Sequence, residues 1–243
     1  MQSSPVILLA VVCGFFLIIL AMVAFVIYAA RKEAEKKTKV AQALGLRSTQ
    51  DFQQLFQRLI FLNDITRPEV YRLESVFHRH DAQGGDVYLF SLLFRSRTRS
   101  NGGGRSRRSH TLEDDALAFI SPAFNLPRFK VLPRLGGEGK LVDLANNLAG
   151  SAMEIKHDLI KFPHIPKLDD IYFIATPEVP ASQVRLPDGF LRILAFHPNL
   201  KLSAGGDAMT ISYVNVEGNL PDEQKMMALY KVGIQLTREI QGV

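Results

Sequence analysis

Val6 to Ala30 is an unbroken run of 25 apolar residues, followed at once by Arg31-Lys32-Glu33-Ala34-Glu35-Lys36-Lys37. At about 1.5 Å per helical residue, such a run covers the roughly 30 Å hydrocarbon core of a bilayer with some tilt to spare. The expected organisation is a transmembrane anchor over residues 1–30, a basic juxtamembrane helix or linker over 31–47, and an α+β domain over 48–243. A cleaved signal peptide fits less well. Met1-Gln2-Ser3-Ser4-Pro5 has no basic side chain, and the apolar stretch exceeds the roughly 7–15 residues of a signal core. A lipoprotein signal also fits poorly. Cys13 follows Val12 rather than a small residue, and it reads as an apolar helix position.

Charge gives the anchor a direction. Arg31, Lys32, Lys36, Lys37 and Lys39 flank one end of the run, and no basic side chain flanks the other. Basic residues stay on the cytoplasmic side, so residues 31–243 are expected in the cytoplasm and the N-terminus outside. The chain's single cysteine lies within the apolar run, so the domain has no disulfide framework.

The net charge of +5 is concentrated in two places. Residues 31–39 hold five basic and two acidic side chains. Residues 95–110 hold Arg95, Arg97, Arg99, Arg105, Arg107 and Arg108 with no acid, so the rest of the chain sums to −4. Two short basic segments on an otherwise slightly acidic body argue against a broad nucleic-acid-binding face.

Residues 31–43 read as a solvated helical continuation of the anchor, with Glu33/Lys37 and Glu35/Lys39 as i,i+4 pairs and Gly45 as its end. Ser48-Thr49-Gln50-Asp51 reads as the start of a helix carrying the stripe Phe52, Leu55, Phe56, Leu59, Ile60. Alternation predicts strands over 70–80, 87–97 and 111–120, forming an antiparallel meander with a glycine-rich tip at Ser100–Gly104. Further expectations are short strands over 129–132 and 171–175, a helix over 141–148, an extended stretch over 154–162 and a helix from Pro187 to about Ala195. A hairpin spans 200–216 and a last helix follows Pro221. Segregated helices and strands make this α+β, with a mainly antiparallel sheet and a C-terminal helix. A curved sheet closed by that helix is similar in outline to pleckstrin-homology-like domains. Gly84-Gly85-Asp86 and Gly205-Gly206-Asp207 echo one another, as a trace of duplication or as two independent turns.

Chemistry-bearing patterns are sparse. His78 and His80 share one strand face beside Asp81, but no further ligand is near in sequence, since His157, Asp158 and His164 lie far off. There is no G-x-S-x-G, S-x-x-K, H-E-x-x-H or phosphate-binding glycine motif. Glu113-Asp114-Asp115 reads as charge compensation for the nearby arginines. No catalytic residue, metal ligand or cofactor is assigned. The binding residues are Arg95, Arg97, Arg99, Arg105, Arg107 and Arg108, a polycation suited to anionic lipid headgroups or an acidic protein. The absence of interleaved aromatics argues against nucleic acid.

Ser121-Pro122-Ala123-Phe124-Asn125-Leu126-Pro127-Arg128-Phe129, with Pro133 beyond it, resembles a segment of a loose group of bacterial single-pass membrane-anchored proteins. Those proteins place an apolar anchor first and a strand-rich body with a Gly/Ser-rich hairpin tip before the L-P-R-F element. The resemblance spans roughly residues 85–240 and implies a bacterial inner-membrane location. It carries over no site residue. The expected function is a membrane-anchored cytoplasmic binding or scaffolding module. The alternatives are an enzyme acting on a membrane-associated substrate and nucleic-acid binding through the arginines.

Overall fold

The computed structural model describes residues 5–65, 71–81, 84–98, 108–134, 158–177, 180–214 and 222–242; the side chains of 5–14, 17, 33, 94–98 and 108–114 lie outside that description. The chain opens with α1 (Pro5–Ala43), one continuous 39-residue helix. Gly45, at φ +70°, takes the left-handed conformation that stops it, as the sequence predicts. The expected helix start at Ser48 is displaced. Arg47–Ser48 form a two-residue strand, β1, paired with His78 and Phe77, and α2 begins only at Gln53 and runs to Asn63. Thr49 explains the delay, because its hydroxyl accepts from the Asp51 amide at 3.1 Å and holds a local turn that competes with helix.

The remaining strands are β2 (Tyr71–His80), β3 (Asp86–Thr98), β4 (Arg108–Ile120), β5 (Leu126–Pro133), β6 (Asp158–Leu159), β7 (Tyr172–Thr176), β8 (Leu200–Gly206) and β9 (Ala208–Tyr213). The helices are α3 (Pro166–Ile171), α4 (Asp188–Phe196) and α5 (Asp222–Gln241). The strands form one nine-stranded sheet in the order β1-β2-β3-β4-β9-β8-β5-β7-β6, and each neighbouring pair is antiparallel. The domain is α+β, with a large antiparallel sheet and a C-terminal helix. The expected meander is the β2-β3-β4 segment of this sheet. The helix expected over 141–148 lies outside the described residues. The stretch expected over 154–162 contributes only β6 among them.

Both faces of the sheet are covered, and the strands show it. Val87, Tyr88, Leu89 and Phe90 are buried in succession. Val87 and Leu89 join the main core with Leu117, Phe119, Met209 and Ile211, under α4, α5 and the end of α1. Tyr88 and Phe90 join a second core with Ala116 and Ala118, under Leu55 and Leu59 of α2. A period-2 strand covered on two sides reads as a continuous apolar run. Arg58 ties α2 to the β8–β9 turn through a forked pair to Asp207 at 2.6 and 3.3 Å. Arg128 ties its other end to β5 by donating to the Phe61 carbonyl and to Asp64.

The two Gly-Gly-Asp segments both form hairpin turns, but they are built differently. The positive φ falls on the first glycine in one (Gly84, +81°) and on the second in the other (Gly206, +60°). That difference favours independent turns over duplication.

Residues 31–43 are less solvated than their sequence implies. Val40 and Ala41 are buried, and with Leu44 and Leu46 just beyond α1 they belong to the main core. Beyond them, toward the N-terminus, Phe15, Phe16, Ile18 and the large apolar residues up to Tyr28 are exposed, from 41% at Ile19 to 71% at Phe25. Among the described residues, no helix is long and apolar enough to cross a membrane; that description omits the Val6–Gly14 and Leu17 side chains.

The C-terminal helix approaches the sheet tightly at Gly233. A Cβ there would sit 2.2 Å from Phe119 and 2.8 Å from Ile211. Overpacking costs about 1–3 kcal/mol, against a gain of about 1 kcal/mol in helix propensity. Gly233→Ala is therefore expected to lower stability by roughly 1 kcal/mol, read as a lower urea midpoint by circular dichroism.

Candidate functional site

The arginines singled out in sequence do not all belong to a loop. The β3–β4 ribbon extends beyond the sequence expectation, with β4 beginning at Arg108 rather than Thr111. Arg95 stands opposite Thr111, Arg97 opposite Ser109, and Arg108 opposite Thr98. Three of the six thus lie on a paired two-stranded backbone. Arg99, Arg105 and Arg107 lie outside the described residues.

Lower on the same two strands, the sheet and α1 meet at a polar cluster. Lys37 Nζ donates to Ser91 Oγ at 3.0 Å and lies 3.2 Å from Asp115 Oδ1. Ser91 Oγ donates to the same Asp115 oxygen at 2.7 Å. Register explains the convergence, because Ser91 and Asp115 are directly opposite partners and Lys37 projects from α1 across them. Ser91 is only 1% exposed, so its hydroxyl needs these partners. At Asp115 the described partner is thus a lysine of α1; the side chains of Glu113, Asp114 and the six arginines lie outside the description, and with them the expected compensation between those groups.

Beside this cluster is a cavity of about 110 Å³ lined by Lys36, Lys37, Val40, Ser75, Phe77, Leu89, Ser91, Asp115 and Met226. A bulge in β2 opens it. The β2–β3 register shifts between Glu74 and Phe77, and Ser75 adopts φ +51°. The cavity lining combines apolar side chains with two lysines and the Asp115 carboxylate. A serine beside a lysine is chemically suggestive, but the proton arrangement works against attack. Lys37 Nζ donates to Ser91 Oγ and pairs with Asp115, so it faces the serine as a donor and not as a base. The arrangement is a charge clamp holding α1 on the sheet. Sequence reading had no means of finding it, since residues 37, 91 and 115 share no motif.

The histidines come together differently from the sequence expectation. His78 Nε2 lies 2.7 Å and His80 Nδ1 2.9 Å from Asp86 Oδ1, across the β2–β3 hairpin. His78 also stacks on Tyr88, with ring centroids 4.5 Å apart. Among the described residues, no group of three or more His, Cys, Asp or Glu side chains is arranged to hold a metal ion. His164 instead pairs with Asp188 at 3.2 Å. His157 lies outside the described residues. Burial pushes the Asp86 carboxyl up, but hydrogen bonds from His80 and then His78 outweigh it, and the group sits below the ordinary aspartate range. Burial alone raises the Tyr213 phenol and lowers the His197 imidazole.

Two outcomes are expected. Lys37→Met and Asp115→Asn, combined in a double-mutant cycle of urea unfolding, give a coupling of about 0.5–1.5 kcal/mol for a partly exposed, hydrogen-bonded pair. Asp86 stabilises the fold only while ionised. Its contribution is present above the ordinary aspartate value of about 4 and is lost as pH falls through the depressed folded value. The urea midpoints of the natural protein and of Asp86→Asn therefore differ at about pH 6 and converge well below about pH 4. No protein-family model, no curated protein and no solved structure matches this chain.

Proposed function

We propose that this is a single-pass membrane protein of the bacterial inner membrane. Val6–Ala30 spans the bilayer, the N-terminus faces out, and the α+β domain on the cytoplasmic side is a binding or scaffolding module. One observation carries the reading: α1 is a single helix whose described apolar side chains stand clear of the domain while its last turn is buried in the domain core. An apolar helical surface of that length, exposed to water, is far larger than the patches soluble monomers tolerate. A bilayer satisfies both the side chains and the backbone of such a helix. The basic flank from Arg31 to Lys39 supports the orientation.

The reading as a module rests on the chemistry of the strands. The arginines of the β3–β4 ribbon offer anionic lipid or an acidic partner a contact. Lys37 and Asp115 beside the cavity are tied to Ser91 and to each other. An enzyme acting on a membrane-associated substrate is the second reading, and the cavity beside Lys37 is the observation on its side. Nucleic-acid binding has only the arginines in its favour.

Topology is the direct test. The full chain, tagged at both ends and expressed in bacteria, is expected to resist carbonate extraction. In intact spheroplasts protease should remove the N-terminal tag and spare the C-terminal one until lysis. Release by carbonate would defeat the anchor, and the opposite protection pattern would reverse the orientation. Crosslinking in native membranes followed by mass spectrometry then bears on the two readings: a stoichiometric protein partner favours a protein-binding module, and its absence leaves lipid contact or catalysis, which headgroup quenching in anionic vesicles tells apart.

A further inference from the structure

The β3–β4 ribbon and α1 run side by side, and this decides what the arginines meet. Two contacts fix their relative direction. Lys37 meets Ser91 at 3.0 Å, and Arg79, the partner of Val87 in the β2–β3 register, donates to the Leu44 carbonyl at 2.9 Å. Lys37 to Leu44 is about 10 Å along a helix. Ser91 to Val87 is about 13 Å along a strand. The strides match, so α1 and β3 lie alongside each other with opposite chain directions. Climbing α1 toward its N-terminus is the same direction as following β3 toward Thr98.

The heights follow. Ala30, where the apolar run ends, is about 10 Å above Lys37. Arg95 is about 13 Å above Ser91, and Thr98, opposite Arg108, about 23 Å. The ribbon thus has more than enough length to reach the level where the apolar run begins. The twist of a β-ribbon turns its distal end away from the axis of α1 and shortens its rise along that axis. Charge is graded along the ribbon in the matching sense. Asp115, Asp114 and Glu113 stand opposite Ser91, Leu92 and Leu93 at its base, while Arg95, Arg97 and Arg108 occupy its distal half. Exposed Arg31 and Lys32 of α1 stand about 8–9 Å above Lys37, nearest in height to Arg95.

We propose that the distal half of the β3–β4 ribbon is a lipid-headgroup contact, in which Arg95, Arg97 and Arg108 dock on the anionic headgroups of the leaflet that α1 leaves. This rests on the anchor reading and narrows the partner of the arginines to lipid phosphate rather than an acidic protein. The ribbon would act as a second foot, fixing how the domain is turned about the axis of α1.

The test uses the full chain in vesicles, with Cys13→Ala and with a fluorophore on Ser109→Cys. Quenching by a spin label carried on lipid headgroups is measured in phosphatidylcholine alone and with phosphatidylglycerol added. Quenching is expected to be strong in the anionic vesicles. It should fall when Arg95, Arg97 and Arg108 are all changed to Gln, each arginine contributing about fivefold to the docked population, and it should fall with added salt. Circular dichroism confirms that the triple variant is folded. Quenching that ignores both lipid charge and the three substitutions would overturn the proposal. So would a label left unquenched in vesicles but shielded in native membranes, which would point to an acidic protein instead. Failure of the anchor reading gives a different result, since the chain would then not float with vesicles of either composition.

Discussion

The burial of the end of α1 in the main core is the contact on which the rest of the arrangement depends. Val40, Ala41, Leu44 and Leu46 pack among Phe77, Leu89 and the α5 residues, and the charge clamp from Lys37 to Ser91 and Asp115 lies one turn above them. Together they remove the linker that the sequence implies between anchor and domain. A helix that ends inside a core transmits its direction to the whole sheet. Every surface of the domain then has a defined height relative to the apolar run. A tether of flexible chain would have left those heights undefined.

The sheet is suited to this because it is covered on both faces. With α2 on one side and α4, α5 and the end of α1 on the other, its central strands are buried in succession and their register is fixed by two apolar sets at once. The β3–β4 pair can therefore continue past the covered region as a ribbon without losing register at its base. Its far end carries arginine and its base carries carboxylates, one of which is neutralised by the lysine of α1. At the opposite end of the sheet, about 40 Å away along β3, the hairpin turns are closed by Asp86, held by two histidines, and by Asp207, held by Arg58. Charge pairing thus stabilises the turns at one end of the domain and leaves a basic segment at the other.

The sequence alone predicted a great deal of the secondary structure, because the signals were local. The alternation from Tyr71 to His80 and from Val87 onward, Gly45 as a helix stop, the helix after Pro187 and the amphipathic last helix are all visible as patterns within a few residues. It misjudged the places where a short-range competitor or a distant partner wins. Thr49 holds a turn that delays α2, and the last turn of α1, polar enough in sequence to read as solvated, is buried by residues more than thirty positions away. The histidine pair was legible as a pair, but its partner Asp86 lies across a hairpin, and only the β2–β3 register brings it to both rings.

By itself, then, the sequence determined a long apolar helix with a basic flank, an antiparallel α+β body and the presence of a cluster of arginines. These follow from composition and periodicity, which are properties of short windows of chain. Only the tertiary structure decided that the pairing extends to Arg108, that Asp115 is matched by Lys37, and that the end of α1 is held against β3 at Ser91. Those facts are relations between segments brought together by strand register and core packing, and no local pattern encodes a distance between residues that meet only when the chain is folded.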